Sequence, residues 1–275
     1  MTLLLHAPPA VADDTSSAIS ALSPVTVEEA VACMDVGISY FHERDDHRAT
    51  FLAAYRVITE EMRIAIRHTR VFNDPAWMNC VVGTFATLYF RSLRTFNTPP
   101  STERAWKIAH AMALAKRSSV LQDVMLGVNA HIKYDLPFAL ETNLHEVPNA
   151  HDLAVRRRDH ERANRVLNRS IALLQDVIPR TYGGSLHVFK YRGLCLDTPI
   201  ASLVGIYNRG RVWRDAVALL EAPDAPRRAA CIGQINAAAA HTARIILRWF
   251  TPALLGAAHR SRIPIVPLGA RPARP

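Results

Sequence analysis

Long hydrophobic runs are missing from this chain of 275 residues. None approaches the roughly 18 to 20 apolar residues that a membrane-crossing helix needs, and the Leu3 to Leu5 triplet has no basic stretch before it of the kind a secretory leader carries. A cytoplasmic protein with no membrane partner is expected. Cysteine is scarce: Cys33, Cys80, Cys195 and Cys231 lie far apart and form no C-x-x-C pair, so neither a zinc knuckle nor a disulfide framework is encoded. Glycine is too sparse and too scattered to write G-x-G-x-x-G, a P-loop or a G-x-S-x-G elbow, which leaves nucleotide cofactors and a serine nucleophile without support. Aromatic residues make up only 7%. The net charge of +9 is spread over segments that also carry acids, apart from Arg156 to Arg158 and the tail from His259 to Arg274. With no basic stripe interleaved with aromatics, a nucleic-acid partner is not expected.

What the chain does have is helical periodicity. Thr26 followed by Glu29 is a capping-box signature, with Val27, Val31 and Met34 opening an apolar face behind it. Between Ala49 and His68, apolar residues recur at helical intervals through Phe51, Tyr55, Ile58 and Met62. Asp74 and Pro75 fit the N-cap and first position of a helix that runs through Trp77, Val81, Phe85 and Tyr89. Further helical patterns cover 102–118, about 152–178, 200–220 and about 226–250. The polar run His42 to His47 predicts a solvated turn, and Thr181 to Pro199 a long connection or lid. Together these predict an all-α protein: a single irregular bundle of about seven helices over residues 25–250, preceded by a mobile arm (1–24) and followed by a Pro- and Arg-rich tail (251–275).

The stretch from Val120 to Leu140 stands apart. At helical spacing Leu121, Val124, Val128, His131, Asp135 and Phe138 share one stripe, which sets an imidazole and a carboxylate in the middle of an apolar face. Burying both is costly unless they pair with each other, with facing residues, with a metal or with a ligand. Pro137 predicts an end or a kink just after Asp135. Other polar residues lie on or beside inward stripes: Asn129 on the same segment, Asp159, His160 and Asn164 on the long helix after the 143–150 loop, Arg209, Arg211 and Trp213 on the next, and His241 on the last.

From Val128 to Pro137 the sequence reads Val-Asn-Ala-His-Ile-Lys-Tyr-Asp-Leu-Pro, which resembles the signature of a bacterial family catalogued as domain of unknown function five-nine-nine-five, approximately Met-Asn-Ala-His-Ile-Asn-x-Asp-Leu. Lys133 stands where that family usually has Asn. The likeness extends to Tyr55 to Thr59, Phe72 to Met78, Phe85 and Tyr89, and more weakly to Asp159, Asn164 and Arg211 to Ala216. The resemblance implies a helical fold and supplies no reaction.

Gathered in one apolar pocket, these residues predict an acid–base enzyme of secondary metabolism acting on a small hydrophobic substrate: a cyclase, isomerase, lyase or hydrolase. In that reading Asp135 fixes the tautomer of His131, which works as general base or acid, with Asp159 as a further catalytic carboxylate. Arg209 or Arg211 would stabilise developing negative charge, and Asn129, His160, Asn164, Trp213 and His241 would bind substrate. No cofactor is expected. One alternative is a metal-dependent hydrolase with His131 and Asp135 as ligands to zinc or another divalent ion. The His-x-x-x-Asp spacing also occurs in zinc-dependent phospholipases and nucleases, whose further ligand motifs are absent here. The other alternative is a non-catalytic ligand-binding or scaffold protein.

Overall fold

A computed structural model describes residues 19, 21–68, 70–96, 103–145, 150–183 and 209–249. Among them every regular element is helical. The order is α1 (Val27–Glu43), α2 (Arg48–His68), α3 (Pro75–Thr95), α4 (Arg104–Leu114), α5 (Val120–Asn129), a π-helical turn (Ala130–Asp135), α6 (Leu136–Leu144), α7 (Ala150–Tyr182), α8 (Arg209–Leu220) and α9 (Ala225–Trp249). Because α5, the π-turn and α6 form one continuous rod, the described bundle has eight helices. The tail beyond 250, most of the 181–199 connection and Cys195 lie outside the described residues, as does most of the expected arm.

The last residues of the expected arm pack against the bundle. Ile19 is buried in the core, the Thr87 hydroxyl donates to the Pro24 carbonyl (2.8 Å), and the Val27 N–H donates to Asn79 Oδ1 (2.8 Å). Gly83 on α3 permits this docking, since a Cβ there would stand 2.2 Å from the Val25 carbonyl. Thr26 caps α1 by accepting from the Glu29 N–H. The Glu29 carboxylate reaches one residue past the cap, to the Val25 N–H. Asp74 caps α3 through the Trp77 N–H (2.8 Å), with Pro75 at the start. These local signals were legible because caps depend on residues within one turn of each other.

Helix α2 is the centre of the bundle, packed by α1, α3, α5 and α7. Residues Ala49 through Tyr55 are buried without a break, the pattern of a helix enclosed on all sides. The adjoining polar run departs from the expected solvated turn: His42, Asp46 and His47 are buried. Asp46 is held bidentately by Arg48, and His42 Nε2 lies 2.8 Å from the Tyr182 hydroxyl. That hydroxyl donates to the Ala49 carbonyl (3.2 Å), so His42 supplies the proton of the first contact. The long helix α7 makes this pairing available by crossing back over the start of α2, a contact 140 residues away in sequence.

Pro137 does not end its helix, which runs on through the π-turn into α6. Its ring would collide with the carbonyl four residues back, that of Lys133. The chain avoids the clash by widening into the π-turn, in which the Leu136 N–H donates to the His131 carbonyl, five residues back. Such turns occur frequently at functional sites. Here the widened turn is the segment that carries His131 and Asp135.

Two apolar clusters make the core. One is built around Leu52, Tyr89, Phe90, Trp106, Leu121 and Met125, the other around Met62, Trp77, Val81, Leu140, Val166 and Trp213. Phe85 and Ile132 pack against both, which places the π-turn on the seam between them.

Candidate functional site

A cavity of about 90 Å³ opens on that seam. A single water needs on the order of 10–15 Å³, so the space is several times larger than packing between clusters requires. Its walls come from α2 (Phe51, Tyr55, Ile58, Thr59, Met62), α3 (Met78, Val81, Val82, Phe85), the π-turn and its flanks, and α7 (His160, Ala163, Leu167). Among the described residues no Asp, Glu, Lys or Arg lines it. The polar groups in the wall are His131, His160, Thr59 and Tyr55, and the Thr59 hydroxyl is committed to the Tyr55 carbonyl (2.9 Å).

His131 is 2% exposed and Asp135 1%. Nδ1 of His131 and Oδ2 of Asp135 are 2.8 Å apart. The same carboxylate oxygen accepts a 2.8 Å hydrogen bond from the Trp106 indole N–H. The imidazole lies flat against Phe85 (centroids 3.4 Å apart, planes 8° apart) and edge-on to Tyr55 at 4.4 Å. Its other nitrogen, Nε2, is buried and has no hydrogen-bond partner. Burial pushes the His131 imidazole well below its usual range. Burial also pushes the Asp135 carboxyl well above the carboxylate range, with the Trp106 N–H and more distant Arg91 pulling the other way. The result is a His–Asp pair fixed at one end by an indole, with the His131 ring in the wall of an apolar cavity and its Nε2 without a partner.

Residues 27–249 match the family model described as a family of unknown function, DUF5995. The chain belongs to that family. No curated protein and no solved structure matches it.

Only part of the expected constellation meets in this DUF5995 fold. His131 and His160 share the cavity wall, with Asp135 behind the first and Trp213 packed on the second (ring centroids 5.5 Å apart). Asp159 points elsewhere: fully buried, it accepts from the Asn73 and Asp74 backbone N–H groups and from Asn73 Nδ2 at 2.7 to 2.9 Å. It is clamped to the loop before α3 and does not line the cavity. Asn129 donates across to the Ala239 carbonyl on α9 (2.9 Å). Asn164 is half-buried on α7, Arg211 and His241 are exposed, and none of these three lines the cavity. Arg211 instead faces Asp215 at 3.7 Å, so the anion-stabilising role expected of it has no geometric basis. The side chain of Arg209 lies outside the described residues.

Trp106 falls within the 102–118 helical pattern, and Phe85 on the stripe of the helix that Pro75 begins. A buried indole needs an acceptor for its N–H, which was the one signal that could have linked Trp106 to a buried acid. Among the described residues no three His, Cys, Asp or Glu side chains gather in a metal-binding cluster. The metal alternative for His131 and Asp135 would therefore need donors from outside them.

Proposed function

We propose that this chain is a small-molecule enzyme that performs acid–base chemistry on a hydrophobic substrate held in the seam cavity, with His131 as the proton-transferring group and Asp135 as the residue that orients it. The observation that carries the reading is His131 Nε2: a buried nitrogen without a partner costs about 1–3 kcal/mol, and the residue that bears it lines a cavity large enough to receive a ligand. Asp135 and Trp106 hold the imidazole from behind, the arrangement by which a carboxylate sets the tautomer of a general acid or base. Isomerisation, cyclisation, elimination and hydrolysis all fit a single proton-transferring group in an apolar chamber. The setting proposed with it is the bacterial cytoplasm and a pathway of secondary metabolism; Cys33, Cys80 and Cys231 are free thiols, which fits a reducing compartment.

The test is untargeted turnover. Wild-type protein and His131→Gln are incubated with a bacterial metabolite extract, and mass spectrometry follows compounds consumed and formed. The wild type should convert at least one small neutral compound, with the variant slower by about a hundredfold or more, the scale of losing an acid–base group. Compounds retained unchanged by both proteins would instead establish the non-catalytic ligand-binding alternative.

A further inference from the structure

We infer that the seam cavity takes an uncharged, mostly hydrocarbon molecule bearing one hydrogen-bond acceptor, a carbonyl or ether oxygen, and that His131 receives this oxygen as an Nε2–H donor. This rests on the reading of the cavity as a substrate site and goes further, by naming the ligand's chemistry and the direction of the hydrogen bond.

Charge is settled by the walls. A ligand carboxylate or ammonium would find no counter-ion among the described residues, because none of those lining the space carries a carboxylate, amine or guanidinium, and an isolated buried charge is strongly disfavoured. Size follows from volume. A cavity of roughly 150 Å³ is known to take benzene, and this one holds about 90 Å³, so the ligand it takes is no larger than a small ring or short branched chain.

The direction of the hydrogen bond follows from counting protons on the His131 and Asp135 pair. With one proton between them the pair carries a net negative charge, buried to within 2% of complete enclosure and opposed by one neutral donor in contact, the Trp106 indole, and by the more distant Arg91. A second proton removes that charge. The doubly protonated pair can be an acid beside a neutral imidazole or a carboxylate beside an imidazolium, and in both forms Nε2 carries hydrogen. The neutral form fits the surroundings: the carboxyl hydroxyl donates to Nδ1 across 2.8 Å while its oxygen still accepts from Trp106. The upward displacement of Asp135 and the downward displacement of His131, both caused first by burial, agree with it. Nε2–H is then a donor without a protein acceptor, and a ligand oxygen supplies one. As the ligand gains negative charge on that oxygen, the pair acts first as an acid.

Calorimetric titration of the full chain with cyclopentanone, methylenecyclopentane and cyclopentanecarboxylate, in wild type and in His131→Leu, tests this. Expected are binding of both neutral probes to wild type, no binding of the carboxylate, and loss of at least about tenfold in cyclopentanone affinity in the variant with the hydrocarbon unweakened; tenfold is about 1.4 kcal/mol. Equal weakening of both neutral probes, or carboxylate binding as tight as the ketone, overturns the inference. Nitrogen NMR of histidine-labelled wild type needs no variant: His131 should show a protonated Nε2 and an unprotonated Nδ1, and cyclopentanone should shift the Nε2 signal. A bare Nε2 overturns the donor assignment yet leaves His131 available as a base, so the proposed function survives. If no neutral probe binds, the inference fails and the cavity loses its standing as the substrate site.

Discussion

Asp135 and Asp159 are both buried carboxylates that the helical pattern sets on inward stripes, yet the structure uses them in opposite ways. Asp159 is closed: two backbone N–H groups and an Asn side chain converge on it, with Arg162 at 3.5 Å, and it ties α7 to the loop that starts α3. Asp135 is open: its partners are the Trp106 indole and His131, and the chain of contacts runs out at a nitrogen with no partner, on a residue that lines the apolar cavity. A polar network that satisfies all its members stabilises and specifies a fold, whereas one that stops short of a cavity leaves a group for a ligand to satisfy. The dangling end, more than burial itself, is what marks a functional carboxylate here.

The sharpest way to break the comparison is to remove each acid. Asp159→Ala strands several buried donors at once and should cost about 3–5 kcal/mol, the range for breaking a buried charged network, read as a fall in the urea midpoint. If Asp159→Ala were as stable as the parent, the closed network would have no structural role. A smaller loss is expected on pressing the cavity wall beside His131. A Cβ on Gly127 would stand 2.2 Å from the Phe51 ring, which lines the cavity and packs edge-on to His131. Gly127→Ala should therefore cost about 1–3 kcal/mol by overpacking and move the His131 ring resonances; an unperturbed His131 would show that Phe51 yields in another direction.

Acid sharpens the contrast further. His110 is buried, stacked on Trp106, and donates from Nε2 to the Ser92 hydroxyl, whose own proton goes to the Tyr89 carbonyl. Burial, and then Arg48, hold its imidazole well below the usual 6.5, as burial does for His131. With the folded value depressed, the unfolded chain binds more protons below pH 6.5, so stability falls as pH drops through that point, by up to about 1.4 kcal/mol per pH unit for each such group. Asp135 acts in the other direction. Its raised folded value contributes stability that is fully present below its unfolded value of 3.8 and is lost as pH rises toward the folded one. His110→Gln should remove close to one group's share of the acid loss between pH 6.5 and 5.5, measured by denaturant unfolding at each pH. An unchanged slope would mean that His110 does not titrate on unfolding.

The smallest expected effect is that of Asp135→Asn. Both contacts converge on one carboxylate oxygen, and an amide oxygen there can accept from the Trp106 N–H and from an Nδ1–H of the neutral imidazole, so stability at pH 7 should change by less than about 1 kcal/mol while the acid-side loss steepens. A collapse of several kcal/mol would mean that Asp135 is ionised and structural, which would erase its difference from Asp159.

The sequence by itself determined the helices, their caps and the place of the unusual pair. Those features depend on residues a few positions apart: Thr26 with Glu29, Asp74 with Trp77, His131 with Asp135 one turn on. It also determined the fold class, because every long apolar segment repeats with the helical period. Only the tertiary structure decided which polar residues share a space. Asp159 and His160 are adjacent in sequence, and a helix turns far enough per residue that one clamps the α3 loop while the other faces the cavity. Trp106 reaches Asp135, and Tyr182 reaches His42, only because distant helices cross, and periodicity records which side of a helix is buried without recording what it is buried against. The cavity itself is a mismatch between two packed clusters at a widened turn, a property of how helices meet that no single segment encodes.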